Sequence, residues 1–123
     1  MKEERINSYR DLIVWKKSMD LTKEVYLLTK AFPKEEIYGL TSQIRRCSVS
    51  VPSNIAEGKG RRSDKEFVRF LQIALGSLYE LQTQLELAMN FNYIDNIDSV
   101  LNISFEIEKM INALITSKGG RNA

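Results

Sequence analysis

The chain has 123 residues, a hydrophobic content of 43%, a charged content of 28% and a formal net charge of +2, the composition of one soluble globular domain with a single core. It has no histidine and one cysteine, which removes the commonest general base, the usual zinc ligand and any disulfide within the chain. No apolar run approaches the roughly 18 residues that a membrane span needs, and the start M-K-E-E-R-I lacks the apolar centre of a signal peptide, so the expectation is a cytoplasmic protein with no membrane partner.

Residues 1–10 are polar and read as a loose arm, ahead of a helical body over 11–118 and a tail over 119–123. From Leu12 to Phe32 the pattern is that of an amphipathic helix. Trp15, Met19, Leu21, Val25, Tyr26, Leu28 and Phe32 take one half of its circumference, while Lys16, Lys17, Asp20, Lys23, Glu24 and Lys30 take the other, broken only by Leu27. Pro33 ends it, and Lys34-Glu35-Glu36 forms a short connection.

The second helix carries Leu40, Ile44, Cys47, Val51 and Ile55 as one apolar stripe. Pro52 lies inside it, where it removes a backbone bond and crowds the preceding turn at about 3 kcal/mol, so the spacing predicts a kink. Ser48, Ser50, Ser53 and Asn54 surround the proline and can bond to the backbone groups it frees. Gly58 and Gly60 stop the helix, and Ser63-Asp64-Lys65-Glu66 has the form of a capping box that starts the next.

The third helix, Asp64 to Asn90, has a core stripe of Phe67, Phe70, Leu71, Ala74, Leu78, Leu81, Leu85 and Ala88. A second stripe of Val68, Leu75 and Tyr79 lies about a quarter-turn away. Asn90 to Asn96 is rich in turn residues, and Asp95 or Asp98 can cap a fourth helix that runs to about Ser117 and closes at Gly119-Gly120. Val100, Ile103, Ile107, Met110, Ile111 and Leu114 face its core side, with Leu101 and Phe105 off that face. The fold class is therefore all-α, an antiparallel up-down-up-down four-helix bundle with its second helix kinked at Pro52. The off-face residues Val68, Leu75, Tyr79, Leu101 and Phe105 are the candidate interface between copies, against the alternative that they widen the monomer core.

The nonapeptide from Ser50 to Gly58, S-V-P-S-N-I-A-E-G, with Arg45 before it and Arg61 after it, resembles the signature of the 23S rRNA intervening-sequence protein family of bacterial four-helix-bundle proteins. Tyr9-Arg10-Asp11-Leu12 with Val14-Trp15 looks like that family's start, and Phe67 to Leu85 like its third helix, so the likeness covers Tyr9 to Ile115. It implies an antiparallel four-helix bundle that often forms a ring-shaped homopentamer, in a family associated with reading frames inside inserts in ribosomal RNA genes. The accessory proteins of diversity-generating retroelements are similar. The signature residues Ser50, Pro52, Ser53, Asn54, Glu57 and Gly58 read as structural, and the resemblance carries no activity with it.

No catalytic set emerges from the residues. Ser48, Ser50 and Ser53 have no histidine to activate them, and Gly58-Lys59-Gly60 lacks the remainder of a phosphate loop. Glu57 has no second carboxylate beside it for metal or acid–base work, and pairing with Arg45, Arg61 or Arg62 explains it better. Neither a cofactor nor a metal is expected, and the protein reads as a non-enzyme.

Charge is unevenly spread: residues 37–69 carry 7 basic and 3 acidic side chains, and residues 70–123 carry 3 and 6. Arg45, Arg46, Lys59, Arg61, Arg62, Lys65 and Arg69 form the candidate nucleic-acid-binding cluster, directed at phosphates rather than bases. The expected partners are further copies of the chain and RNA or DNA. The alternative is a protein-binding scaffold, for example an adaptor for a reverse transcriptase.

Overall fold

A computed structural model describes residues 8–119, which fold around four α-helices. They are α1 (Ile13–Leu28), α2 (Leu40–Lys59), α3 (Asp64–Asn90) and α4 (Asp98–Lys118), and no strand occurs among the described residues. The arm expected over 1–10 and the tail expected over 119–123 fall largely outside that range. Within it, Tyr9–Asp11 forms a single 3-10 turn capped by Ser8, whose Oγ accepts from the Arg10 N–H at 3.1 Å. The Tyr9 ring then meets Trp15 edge-on, with centroids 5.1 Å apart.

Cross-helix contacts fix the directions. Thr22 reaches Ser48 and Arg45 reaches Thr29, so α2 runs against α1. Ser50 meets Ser77, and Gln43 meets Gln84, so α3 runs against α2. Tyr79 bonds Glu108 and Gln82 bonds Ser104, so α4 runs against α3. Each helix packs on the next and α4 returns to α1, a four-helix bundle with its core on the central axis. Leu21, Ile44, Val51, Leu71, Leu78, Leu85, Ile107 and Ile111 are wholly buried there.

The face that α1 turns inward differs from the expected one. Val14, Ser18, Leu21 and Val25 are buried, and Thr29 follows in the 3-10 turn Thr29–Ala31, while Trp15 is half-buried and Met19 and Tyr26 are exposed. Ser18 Oγ donates to the Val14 carbonyl at 2.7 Å and Thr29 Oγ1 to the Val25 carbonyl at 2.8 Å. These short side chains satisfy themselves within their own helix and allow close packing, which rotates the bulkier residues to the α2 edge. The α-helix ends at Leu28 rather than Phe32, although Phe32 is buried just before Pro33.

Helix α2 runs without a break through Pro52, so the expected kink is not confirmed. The carbonyl that proline frees belongs to Ser48, and Thr22 Oγ1 of α1 donates to it at 2.9 Å. Relief thus comes from the neighbouring helix, not from the serines beside the proline. Ser48 Oγ donates to the Arg45 carbonyl and Asn54 Nδ2 to the Ser50 carbonyl.

Gly58 is a buried helical residue rather than a stop. A Cβ at that position would lie 2.6 Å from Phe70 Cβ and 3.1 Å from Phe67 Cδ1, so the glycine permits α2 and α3 to converge. Gly60 is the C-cap, with its N–H on the Ala56 and Glu57 carbonyls. Helix α3 starts at the expected cap, where Ser63 Oγ accepts from the Glu66 N–H at 3.1 Å, but the Glu66 carboxylate turns to Arg69 instead of completing the box. At α4 neither Asp95 nor Asp98 is the cap. Ile97 occupies that position, and Asn96 Oδ1 accepts from the Asp98 N–H at 2.9 Å. Ser104 is buried on α4's core side, with Ile103, Met110 and Leu114 half-buried beside it.

At the loop end of the bundle, Glu36 ties two connections together. Its Oε1 accepts from the Leu40 N–H at 2.8 Å, capping α2, and its Oε2 accepts from the Tyr93 hydroxyl at 2.6 Å.

Candidate functional site

The seven candidate cations separate into two groups. Arg45 and Arg46 lie in the first half of α2, whereas Lys59, Arg61, Arg62, Lys65 and Arg69 surround the turn from α2 to α3. The 16 residues from Arg45 to Arg61 span roughly 24 Å at the helical rise, so no single small ligand bridges both groups.

Arg45 is occupied structurally. Its Nε donates to Thr29 Oγ1 at 2.9 Å and its guanidinium lies 4.6 Å from the Tyr26 ring centroid, which fastens α2 to the end of α1. Arg46 is exposed and forms no ion pair among the described residues.

At the turn, packing and charge are combined. Arg61 and Arg69 lie 4.8 and 4.6 Å from the Phe70 centroid, and Lys59 Nζ lies 5.9 Å from that of Phe67. Arg61 also pairs with Glu57 at 2.9 Å and Arg69 with Glu66 at 3.2 Å, exposed pairs that contribute little stability. The pairing expected of Glu57 is therefore made, with Arg61. Lys59, Arg62 and Lys65 have no carboxylate partner among the described residues. Five basic side chains stand here against the acidic Glu57, Asp64 and Glu66, and Asp64 and Glu66 occupy the first turn of α3, where its dipole attracts anions.

The signature nonapeptide faces several ways. Val51, Pro52, Ile55 and Gly58 are buried, and Ser50 Oγ lies 2.8 Å from Ser77 Oγ with Asn54 Nδ2 3.0 Å from Ser50 Oγ. Ser53 and Glu57 are exposed. Cys47, on the same seam, donates to Glu80 Oε1 at 3.6 Å, and burial together with that carboxylate pushes its thiol up, away from the reactive thiolate.

The second stripe also divides. Val68, Leu75 and Leu101 are half-buried, the last two packed on the core and Val68 beneath the end of α4 at Gly119. Tyr79 and Phe105 remain 44% exposed, with the Tyr79 hydroxyl donating to Glu108.

One surface was missed in the sequence. Between α1 and α2 runs a groove made of two adjoining depressions of about 370 and 560 Å³, joined at Val49. Tyr9, Trp15, Met19, Pro52 and Ala56 line the first, and Tyr26, Ile37 and Tyr38 line the second. Tyr38 is 94% exposed. An aromatic in so short a connection was the available signal; Met19 and Tyr26 were hidden because helical periodicity alone assigns them to the core side. Among the described residues no three histidine, cysteine or carboxylate side chains come together as metal ligands, and no helix is long and apolar enough to cross a membrane.

An antiparallel four-helix bundle whose serine-proline-asparagine segment seals two helices, and which gathers no catalytic set among its described residues, defines a structural class. The chain belongs to the 23S rRNA-intervening sequence protein family, whose family model matches residues 10–113. It is similar, at 29% identity and a TM-score of 0.78, to a crystal structure from Bacteroides thetaiotaomicron VPI-5482 of a protein of unknown function from the S23 ribosomal protein family. That likeness covers 84% of this chain and 98% of the other. No curated protein matches the chain.

Proposed function

We propose that the protein acts as a non-catalytic bundle that assembles into a ring of copies, a pentamer, and holds RNA or DNA phosphates along its basic corners. The observation that carries the reading is the cluster of apolar side chains that the single chain leaves in solvent, with Tyr38, Ile37, Tyr26 and Val49 exposed beside one another, the kind of grouping found at interaction surfaces. Lys59, Arg62 and Lys65 supply the phosphate contacts, repeated once per copy so that weak corners act together. The family name refers to 23S rRNA intervening sequences, which makes RNA the first polyanion to test.

Light scattering on the purified protein, followed by titration with a mixed-sequence RNA across a salt series, tests both parts. The expected result is an oligomer whose affinity falls with salt, at a logarithmic slope of about −0.7 for each single-strand phosphate contacted. Arg62→Glu with Lys65→Glu lowers that affinity at least about tenfold, the effect of losing roughly 1.4 kcal/mol. A monomer indifferent to RNA overturns the proposal. The pairing of Arg61 with Glu57 and of Arg69 with Glu66 leaves fewer free cations and favours a second reading, a scaffold for a protein partner. An oligomer with no RNA affinity selects it.

A further inference from the structure

We infer that the polar depression on the α2–α3 seam is a site for a single guanine base, of an RNA strand or of a free nucleotide, with Glu80 and Arg46 reading its two edges. The inference rests on the RNA reading above and adds base recognition to contacts that otherwise address only phosphate.

The depression measures about 530 Å³ and is built from both helices. Ser50 meets Ser77 at one end at 2.8 Å, and Gln84 meets Gln43 at the other at 3.4 Å. Between them Cys47 Sγ donates to Glu80 Oε1 at 3.6 Å. Arg46 stands on the rim, where the depression borders the α1–α2 groove. Arg46 and Glu80 are both exposed, and neither forms an ion pair, with the other or elsewhere, among the described residues. Burial pushes the Cys47 thiol up, Glu80 adds to that and Arg46 opposes it, so the two charges flank one point. Gln84 Oε1 is buried without a hydrogen-bond partner, the one such side-chain atom among the described residues. Its amide is held through the long bond to Gln43, and turning it toward a bound N–H gives up little.

The unused acceptors thus lie on α3 and the free cationic donor on α2. Among the RNA bases only guanine sets two N–H donors side by side, at N1 and the N2 amino group, so that one carboxylate accepts both. Adenine and cytosine place a ring-nitrogen lone pair beside their amino group, and uracil flanks its N–H with two carbonyls. Each of these turns a lone pair on the carboxylate. Guanine's adjoining edge carries O6 and N7, the acceptor pair to which a guanidinium donates bidentately. The remaining amino hydrogen suits Gln84 Oε1. Unpaired bases of single strands are read on these edges. The site is also placed for a strand, because the seam leads into the α2–α3 turn. The 13 residues from Arg46 to Lys59 span roughly 20 Å at the helical rise, so a strand held by Lys59, Arg62 and Lys65 reaches the depression within a few nucleotides.

Short oligouridines carrying one central guanosine, inosine or adenosine test this by fluorescence anisotropy on the full chain, with guanosine monophosphate as the free-nucleotide probe in calorimetry. The guanosine strand binds at least about tenfold tighter than the adenosine strand, within the range of one bidentate pair. Inosine, which lacks only the amino group, falls between. Glu80→Gln keeps an oxygen for Cys47 and abolishes the guanosine–inosine difference without changing the adenosine strand, a result that a structural role for Glu80 does not give. Arg46→Met weakens the guanosine strand more than the adenosine one, whereas a mere phosphate contact weakens both alike. A parent that binds the three strands equally overturns the guanine site and leaves the phosphate reading standing. A preference for guanosine that survives Glu80→Gln overturns the site as well. A parent that binds guanosine monophosphate, loses it in Glu80→Gln and binds no strand keeps the site and overturns the RNA reading. A parent that binds neither probe overturns both.

Discussion

Helix α2 forms two borders of opposite character. Toward α3 it presents Ser50, Asn54 and Gly58, and the seam closes until two serine hydroxyls lie 2.8 Å apart and a glycine Cα faces the Phe70 side chain. Toward α1 it presents Val49, Pro52 and Ala56 to Trp15, Met19 and Tyr26, and there the border remains a groove. Small residues let the backbones approach, and the depression of about 530 Å³ that this seam keeps is lined by polar side chains, Gln43, Arg46, Ser50, Ser77, Glu80 and Gln84 beside Cys47. Large ones keep the helices apart and leave their own surfaces in solvent. The family-like nonapeptide therefore serves both borders, Ser50, Asn54 and Gly58 the one with α3 and Pro52, Ser53 and Ala56 the groove, and the rest of the groove is written in residues scattered over α1 and the 3-10 connection.

The closed border is broken most directly at Gly58. Gly58→Val places two methyl groups where even a Cβ meets Phe70 at 2.6 Å, and overpacking of this kind destabilises by about 3 kcal/mol, the upper part of its usual range. In thermal unfolding that is a fall of roughly 10 °C for a domain of this size. Gly58→Ala falls less, since alanine regains about 1 kcal/mol of helix propensity. A Gly58→Ala protein that melts higher than the parent means the seam has slack, and the contrast between the two borders fails.

The groove side has its own fastening, Thr22 on the Ser48 carbonyl. Thr22→Val preserves shape but leaves that carbonyl without the donor that Pro52 cannot supply, a loss of about 1–2 kcal/mol. In a Pro52→Ala background the new N–H can bond Ser48 within the helix, so the Thr22→Val loss shrinks toward zero. Chemical denaturation of the four proteins measures the coupling. Equal losses in both backgrounds mean that Thr22 does not compensate the proline.

Much of this architecture was legible in the sequence. The 3.6-residue stripe on α3 matched the buried set residue for residue, because every core position there is apolar. On α1 and the turn after it the same reasoning errs, since Ser18 and Thr29 sit on the core side and periodicity counts them as polar. Their hydroxyls are satisfied within their own helix, a local event that hydropathy does not register. The partner of Ser48 lies 26 residues away, and no local pattern announces a contact across two helices. The seven cations read as one cluster because they fall within 25 residues, whereas a continuous helix carries Arg45 and Arg46 well away from the turn. Glu57 with Arg61 was legible, being an i, i+4 pair.

The smallest expected effect concerns the open end of the groove, where Glu36 leads directly into Ile37 and Tyr38. The Leu40 N–H and the Tyr93 hydroxyl, in that order of weight, hold the Glu36 carboxyl below the ordinary glutamate range. A depressed carboxyl contributes stability that is complete above its unfolded value and is lost as pH falls through the folded one. The same bond raises Tyr93 above the ordinary tyrosine range, with burial adding to it. Tyr93 therefore contributes stability below its unfolded value that disappears as pH rises through the folded one. The two bonds of Glu36 thus give the acid edge, and the bond from Tyr93 gives the alkaline one. Glu36→Gln removes the acid edge from a plot of melting temperature against pH, and Tyr93→Phe removes the alkaline edge while only weakening the acid one, because Leu40 still bonds the carboxylate. If Tyr93→Phe erases the acid edge entirely, the backbone cap of α2 is not what holds Glu36. The groove's open end is then positioned by the loop between α3 and α4, not by α2 itself.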